Sequence, residues 1–193
     1  MIDLIIDNNA VEAPSDDDIN CRVLMMIRSH YPEGTEIKLM RQHIANPTDT
    51  VAAAAFTSYN TAVESIRSQA VTARAQVLVL RGALAYETAQ NRLAQYQLSV
   101  GRPQQTLTIP TGQMVLDATT NTMVPQTTTQ IIPAIAPLPA TVAHTDAAGV
   151  ITQVPNPAIV QDDAERAAAQ AVITAATPDI TALVAQRKTV RGY

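Results

Sequence analysis

Tryptophan is absent from this chain, phenylalanine occurs once at Phe56, and cysteine occurs once at Cys21. A single cysteine excludes an internal disulfide framework and a cysteine-rich zinc site. Glycine is scarce, with six residues, and none falls in Gly-x-Gly-x-x-Gly or a phosphate loop, so nucleotide binding has no sequence support. No serine sits in the Gly-x-Ser-x-Gly frame of a hydrolase elbow. Basic blocks are missing and the formal charge is −4, which argues against nucleic acid as a partner. No apolar run approaches the 18 or more residues of a membrane span. The start, Met1 to Asp7, places acids where a signal peptide carries basic residues. The expectation is a soluble chain made in a cytoplasm and not secreted through a signal peptide, with no membrane, cofactor, metal or small-molecule substrate.

What the chain does have is alanine and a long helical period. The apolar fraction is 47%, but much of it is Ala, which packs closely and buries little area, so a large isolated core is hard to build. From Ala52 through Phe56, Tyr59, Val63, Ile66, Ala70, Ala73, Val77, Leu80 and Leu84, apolar residues recur at 3-4 spacing. That is the pattern of a helix lying along other helices. A second seam, Ala75, Val79, Gly82, Tyr86, Ala89, Leu93, Tyr96 and Val100, is two residues out of phase and faces nearly the opposite way. Where the seams overlap, residues 75–84 read as apolar almost all round and are expected to be enclosed. A helix from Pro47 or Thr48 to Gly101-Arg102-Pro103 would reach roughly 80 Å, with Gly101 and Pro103 as the stop.

The rest of the chain divides around that helix. Residues 1–46 hold a short apolar strand or docking arm, Ile2 to Ile6, then a helical hairpin. Ser15 caps its first helix, with acids Asp16 to Asp18 at the positive end and Ile19, Val23, Met26 and Ile27 as the buried face. Thr35 is expected to cap the second helix, which carries Ile37, Met40 and Ile44. Residues 47–101 are the long helix. Residues 102–157 contain only three charged residues, against eight prolines and twelve threonines. There Thr106 to Ile109 alternates like a strand, Gln113–Leu116 and Thr122–Val124 flank one hairpin turn, and Thr141–His144 and Val150–Val154 flank another. Ile131 to Pro139 reads as too proline-rich for a central strand and is expected to lie extended. Residues 158–193 return to helix, after Asn156 as cap and Pro157, and again after Thr177-Pro178. The fold class is therefore mainly α with a small β region.

Candidate chemistry is thin. Asp16-Asp17-Asp18 lacks the alternating acids and glycine of a calcium loop and reads as a solvated helix start. His30, His43 and His144 stand in three different contexts without metal-ligand spacing, and Cys21 reads as a packing residue. Arg67, Arg74 and Arg81 recur every seven residues as a ladder. It is either a solvated helix edge, the simpler reading, or a grip for an acidic partner such as residues 1–46 of a neighbouring copy. The interface candidates are Phe56, Tyr59, Val63, Ile66, Val77, Leu80 and Leu84, packing helix to helix within or between subunits, and Tyr86, Leu93 and Tyr96, meeting a different neighbour.

The helical hairpin, the overlong Ala-rich helix from Thr48 to Gly101, and the weakly charged stretch from Arg102 to Pro157 resemble small structural subunits of tailed-bacteriophage particles. The resemblance is one of organisation, with no diagnostic residue string. It implies a virion component of the tail, baseplate, fibre-attachment or neck region, without enzymatic activity, whose partners are other virion proteins and copies of itself. A cytoplasmic helical adaptor or assembly chaperone is the alternative. An enzyme is the remoter one, because the polar residues are mostly Thr and Gln, which seldom perform acid–base work.

Overall fold

The computed structural model describes residues 4–117 and 119–192. In chain order the elements are α1 (Asp16–His30), α2 (Thr35–Ala45), α3 (Thr50–Ala94), β1 (Gln105–Asp117), β2 (Thr122–Ile132), β3 (Thr141–Thr145), β4 (Ile151–Pro155), α4 (Pro157–Thr174) and α5 (Pro178–Arg191). The protein is thus mainly α with a small β region. It forms two compact units, one of residues 1–88 with 174–193 and one of residues 89–173. Ile2 and Asp3 of the expected N-terminal arm lie outside the described residues.

The first unit is built on α3. Asp49 opens that helix by accepting the amides of Val51 and Ala52 at 2.9 and 3.2 Å, so the helix starts at Thr50, three residues after Pro47 and two after Thr48. The helix runs unbroken through Gly82. Its seam Tyr59, Val63, Ile66, Ala70, Ala73, Val77 and Leu80 is buried. From Ile66 onward it joins Ile19 and Met26 of α1, Leu183 and Val184 of α5, and Leu4 and Ile6 of the N-terminal arm in one core. In the arm, Ile5 points outward while Leu4 and Ile6 are buried, an extended segment that alternates like a strand yet pairs with none. The expected Ser15 cap is present at α1 and is completed into a capping box by Asp18: Ser15 Oγ accepts the Asp18 amide at 3.1 Å, and Asp18 accepts the Ser15 amide at 2.9 Å. The Ser15 hydroxyl, donating to the Asp18 carboxylate at 2.7 Å, and then the Ser15 amide hold that carboxyl below its ordinary range.

Several local expectations are corrected. The helix is not enclosed over 75–84: Leu78 is 65% exposed, and Ala75 and Gln76 also face out. Alanines elsewhere on α3 let the neighbouring elements fit closely along one side, leaving no element to cover the other. Thr35 does not cap α2; Gly34 occupies the cap position, without a side-chain bond. Ile37, Met40 and Ile44 of α2 are exposed, and Leu39 and His43 turn inward instead. His43 stacks on Phe56 with ring centroids 5.1 Å apart, which fixes the rotation of α2 against α3. Cys21 is exposed on α1, about 200° from the Ile19 direction, and is no packing residue.

In the second unit the helical stop also differs. α3 ends at Ala94, seven residues before Gly101. Beyond it the chain is taken over by α4: Asp162 accepts the Leu98 amide at 3.1 Å, and Arg166 donates to the Gln95 carbonyl at 2.7 Å. Gly101 serves a later turn, with φ 74°, where Arg102 and Ile135 exchange backbone hydrogen bonds of 2.9 and 2.8 Å. The two β segments Thr106–Ile109 and Gln113–Leu116 join in one strand, β1, antiparallel to β2, with a bulge between Pro110 and Met114 around Gly112. Ile131 and Ile132 belong to β2; only the prolines after them run outside regular strands. β3 and β4 form the second hairpin as expected. Asn156 opens α4, its side-chain oxygen accepting the Ala158 amide at 3.1 Å while its side-chain amide donates to the Pro139 carbonyl at 2.9 Å.

Candidate interaction surfaces

Two arginine–carboxylate networks hold the two units, and sequence reading missed both. In the first unit, Arg187 on α5 is fully buried. Its Nε and Nη2 donate to the two carboxylate oxygens of Glu87 at 2.8 and 3.1 Å. Its Nη1 donates to the carbonyls of Asn8 and Ala10, the latter at 3.0 Å. One guanidinium thereby ties α5, α3 and the N-terminal arm, in the bidentate geometry that only arginine provides. The Arg187 hydrogen bonds, aided by Arg191, hold Glu87 below the ordinary carboxylate range against the opposing effect of burial. In the second unit, buried Asp162 receives Arg92, Arg166 and the Leu98 amide. Arg92 first, then Leu98 and Arg166, pull its pKa down to about 2. Arg92 also reaches Glu165 at 3.1 Å. Asp162 and Arg166 stand at i and i+4, a spacing visible in sequence. Glu87 and Arg187 are separated by a hundred positions, and no local pattern links them.

The sequence-derived candidates are placed as follows. Val63, Ile66, Val77 and Leu80 are buried within the chain. Tyr59 is buried edge-on against Tyr31, centroids 4.9 Å apart, and its hydroxyl pKa is raised by burial and by a hydrogen bond with Glu36. Leu84 and Tyr86 are half-buried against the first unit's core. Leu93 is half-buried in the second unit, and Tyr96 lies under the Arg102 guanidinium, 5.9 Å from the ring centre. The arginine ladder is used, and by this chain's own acidic start: Arg74 donates to Asn20 at 2.6 Å, and Arg81 to the Pro14 carbonyl at 2.9 Å and to Asp16 at 3.4 Å. Arg67 takes no such bond among the described residues. α3 is therefore clamped to α1 and the segment before it within one molecule, where a neighbouring copy was one of the options.

Among the described residues no group of three or more His, Cys, Asp or Glu side chains is arranged to hold a metal ion. The larger concavities are open grooves. One of about 430 Å³ runs beside Leu4–Ile6 along Ser68–Gln76 of α3, and one of about 520 Å³ lies over Tyr96, Leu98 and Arg102. In the second, Arg92 and Asp162 are already paired to each other.

The surface left over is the β1–β2 hairpin. Along both strands the side chains are exposed or at most half-buried. From the register, Met114, Leu116 and Met123 share one face, and Val115 and Val124 the other. Met114, Leu116 and Met123 are each more than half exposed. From Gln105 to Ile132 the only charged residue is Asp117. Compared with known proteins, the chain matches no family model, no curated protein and no solved structure.

Proposed function

We propose that this chain is a structural subunit of a tailed-phage particle, an adaptor on the tail or baseplate side that holds a fibre or a neighbouring ring. The observation that carries the structural part of this reading is the β1–β2 hairpin, nearly free of charge, with exposed apolar side chains set among Thr and Gln and with Met114, Leu116 and Met123 gathered on one face near the turn. A lone two-stranded hairpin is marginal in water, and exposed β surface without charged residues invites association. Such an element makes sense when other subunits cover it. The placement in a phage particle rests on the organisation of the chain, namely the helical hairpin, the long Ala-rich α3 and the Thr/Pro-rich hairpins.

The test is quantitative mass spectrometry of density-purified particles from a phage lysate whose phage encodes this chain. A structural subunit is present at a fixed copy number per particle and resists a salt wash. Presence in the cell lysate with absence from the particles overturns the reading in favour of an assembly factor.

A further inference from the structure

We propose that the outer faces of α1 and α2 form a self-complementary strip through which two copies of this chain pair, antiparallel, about a two-fold axis. The pairing goes beyond the phage reading and does not depend on it.

α1 and α2 pass one after the other along one side of α3. Asp16 reaches Arg81, Asn20 reaches Arg74, Tyr31 packs on Tyr59, and His43 stacks on Phe56. From Arg81 to Phe56 that side of α3 is about 38 Å long. The faces turned away from it are apolar where a solvated helix carries polar residues. On α1, Cys21, Leu24 and Met25 are exposed. α2 is inside out. Thr35, Leu39 and His43 turn toward the protein, while Ile37, Met40 and Ile44 form an exposed stripe at 3-4 spacing. No residue of α2 is buried, and Ile44 is 71% exposed. A continuous apolar surface of this kind marks an interaction site.

The charges on the strip name its occupant. Of the three acids that open α1, Asp16 is bound to Arg81 and Asp18 to Ser15. Asp17 stands four residues before Cys21 and seven before Leu24, on their exposed face, with no partner among the described residues. At the other end Lys38 and Arg41 border the α2 stripe, exposed and also unpaired among the described residues. Between the ends, Arg28 and Glu33 lie 3.8 Å apart and offset each other. The strip is negative where it starts and positive where it finishes. A uniformly acidic helix, or an anionic lipid surface, suits Lys38 and Arg41 but is repelled by Asp17. The same strip reversed suits both ends at once. Asp17 of one copy then meets Lys38 and Arg41 of the other, and Leu24 and Met25, midway between, fall near the axis. Such an isologous contact closes at two copies. Burial of the aliphatic stripe supplies the affinity, and the charges set the direction.

The experiment follows the mass of the full chain against concentration by light scattering behind a sizing column, with far-ultraviolet circular dichroism on each sample. An interface one helix wide is at the small end for a specific complex, so the concentration series is needed. Wild type should rise from 20.6 kDa toward twice that mass. D17K is positive at both ends of the strip, and K38E/R41E is negative at both. Each alone should pair about tenfold or more weakly, because like charges now meet at two symmetric places. Mixed in equal amounts, the two should form a heterodimer, an outcome that loss of folding cannot produce. A separate reading uses disulfide trapping in a Cys21→Ser background. Leu24→Cys, near the axis, should yield a covalent dimer on mild oxidation, and Val51→Cys, exposed but far from it, should not. A wild-type chain that stays monomeric at every concentration overturns the pairing and leaves the strip to a different protein. A mass above the dimer overturns a closed pair. Variants that each keep the wild-type dimer, or folded variants that do not combine when mixed, overturn the charge-matched strip. Trapping at Val51→Cys in place of Leu24→Cys overturns the position of the axis and the proposal with it.

Discussion

Arg187 and Glu87 form a two-point ion pair between α5 and the C-terminal part of the long helix, and the same guanidinium holds the carbonyls of Asn8 and Ala10. Removing one partner of a buried pair costs about 3–5 kcal/mol; here Arg191, 3.2 Å from Glu87, still compensates part of its charge, while the Asn8 and Ala10 carbonyls lose their donor. Arg187→Ala is therefore expected to lower the urea midpoint of the first unit steeply. Arg187→Lys restores the charge but not the fork, and should recover only part of the loss. Circular dichroism against urea reads both; equal midpoints for wild type and R187A would show the network to be dispensable.

Acid should loosen both units in the same window. Asp162 has its folded pKa at about 2, and Glu87 is also held below its ordinary value. For a depressed carboxylate, the stabilisation is complete above the unfolded pKa, near 4, and is lost as pH falls through the folded pKa. The melting temperature should be flat from pH 7 to about 5 and then fall toward pH 2. Asp162→Asn should start lower and show a shallower acid slope. An unchanged slope in that variant would remove Asp162 from the account.

Gly82 allows α5 to sit close against α3. A Cβ at that position would lie 2.5 Å from Ile180 Cδ1 and 2.9 Å from Cγ1. Two effects then oppose each other in Gly82→Ala: a helix-propensity gain of up to about 1 kcal/mol, and overpacking of about 1–3 kcal/mol. The substitution should destabilise in the wild-type background. With Ile180→Ala removing the clash, the same change should stabilise by about 0.5–1 kcal/mol. A sign that does not reverse between the two backgrounds would mean that the contact with Ile180 does not set the requirement for glycine.

The parts legible from sequence are those set by local periodicity. The α3 seam from Tyr59 to Leu80, the Ser15 capping box, the Asn156 cap and the β3–β4 hairpin all follow from residues within a few positions of one another. What escaped is non-local. The end of α3 at Ala94 depends on Asp162 and Arg166, more than sixty residues away, capturing the segment that pattern alone would continue as helix. The inward face of α2 depends on His43 meeting Phe56, and the ladder arginines find their acceptors only when α1 folds back. The length of β1 was hidden by the Thr111–Gln113 bulge, which breaks alternation where the strand in fact continues.

Gly101 separates a local reading from a tertiary one. As a helix stop, it would terminate α3, and Gly101→Ala would lengthen the helix and raise the helical signal. In the structure α3 has already ended, and Gly101 sits at φ 74° pressed against the Ile135–Pro137 backbone, with a Cβ only 2.8 Å from the Pro137 nitrogen. Backbone atoms held by the Arg102–Ile135 bridge cannot swing aside as a side-chain tip can. Gly101→Ala should therefore leave helical content unchanged and destabilise the second unit, with a left-handed φ alone costing about 1–3 kcal/mol. Hydrogen exchange would show it as lost protection at the amides of Arg102 and Ile135, which bond across that bridge. A rise in helical signal, with the bridge amides still protected, would return Gly101 to the role of helix terminator.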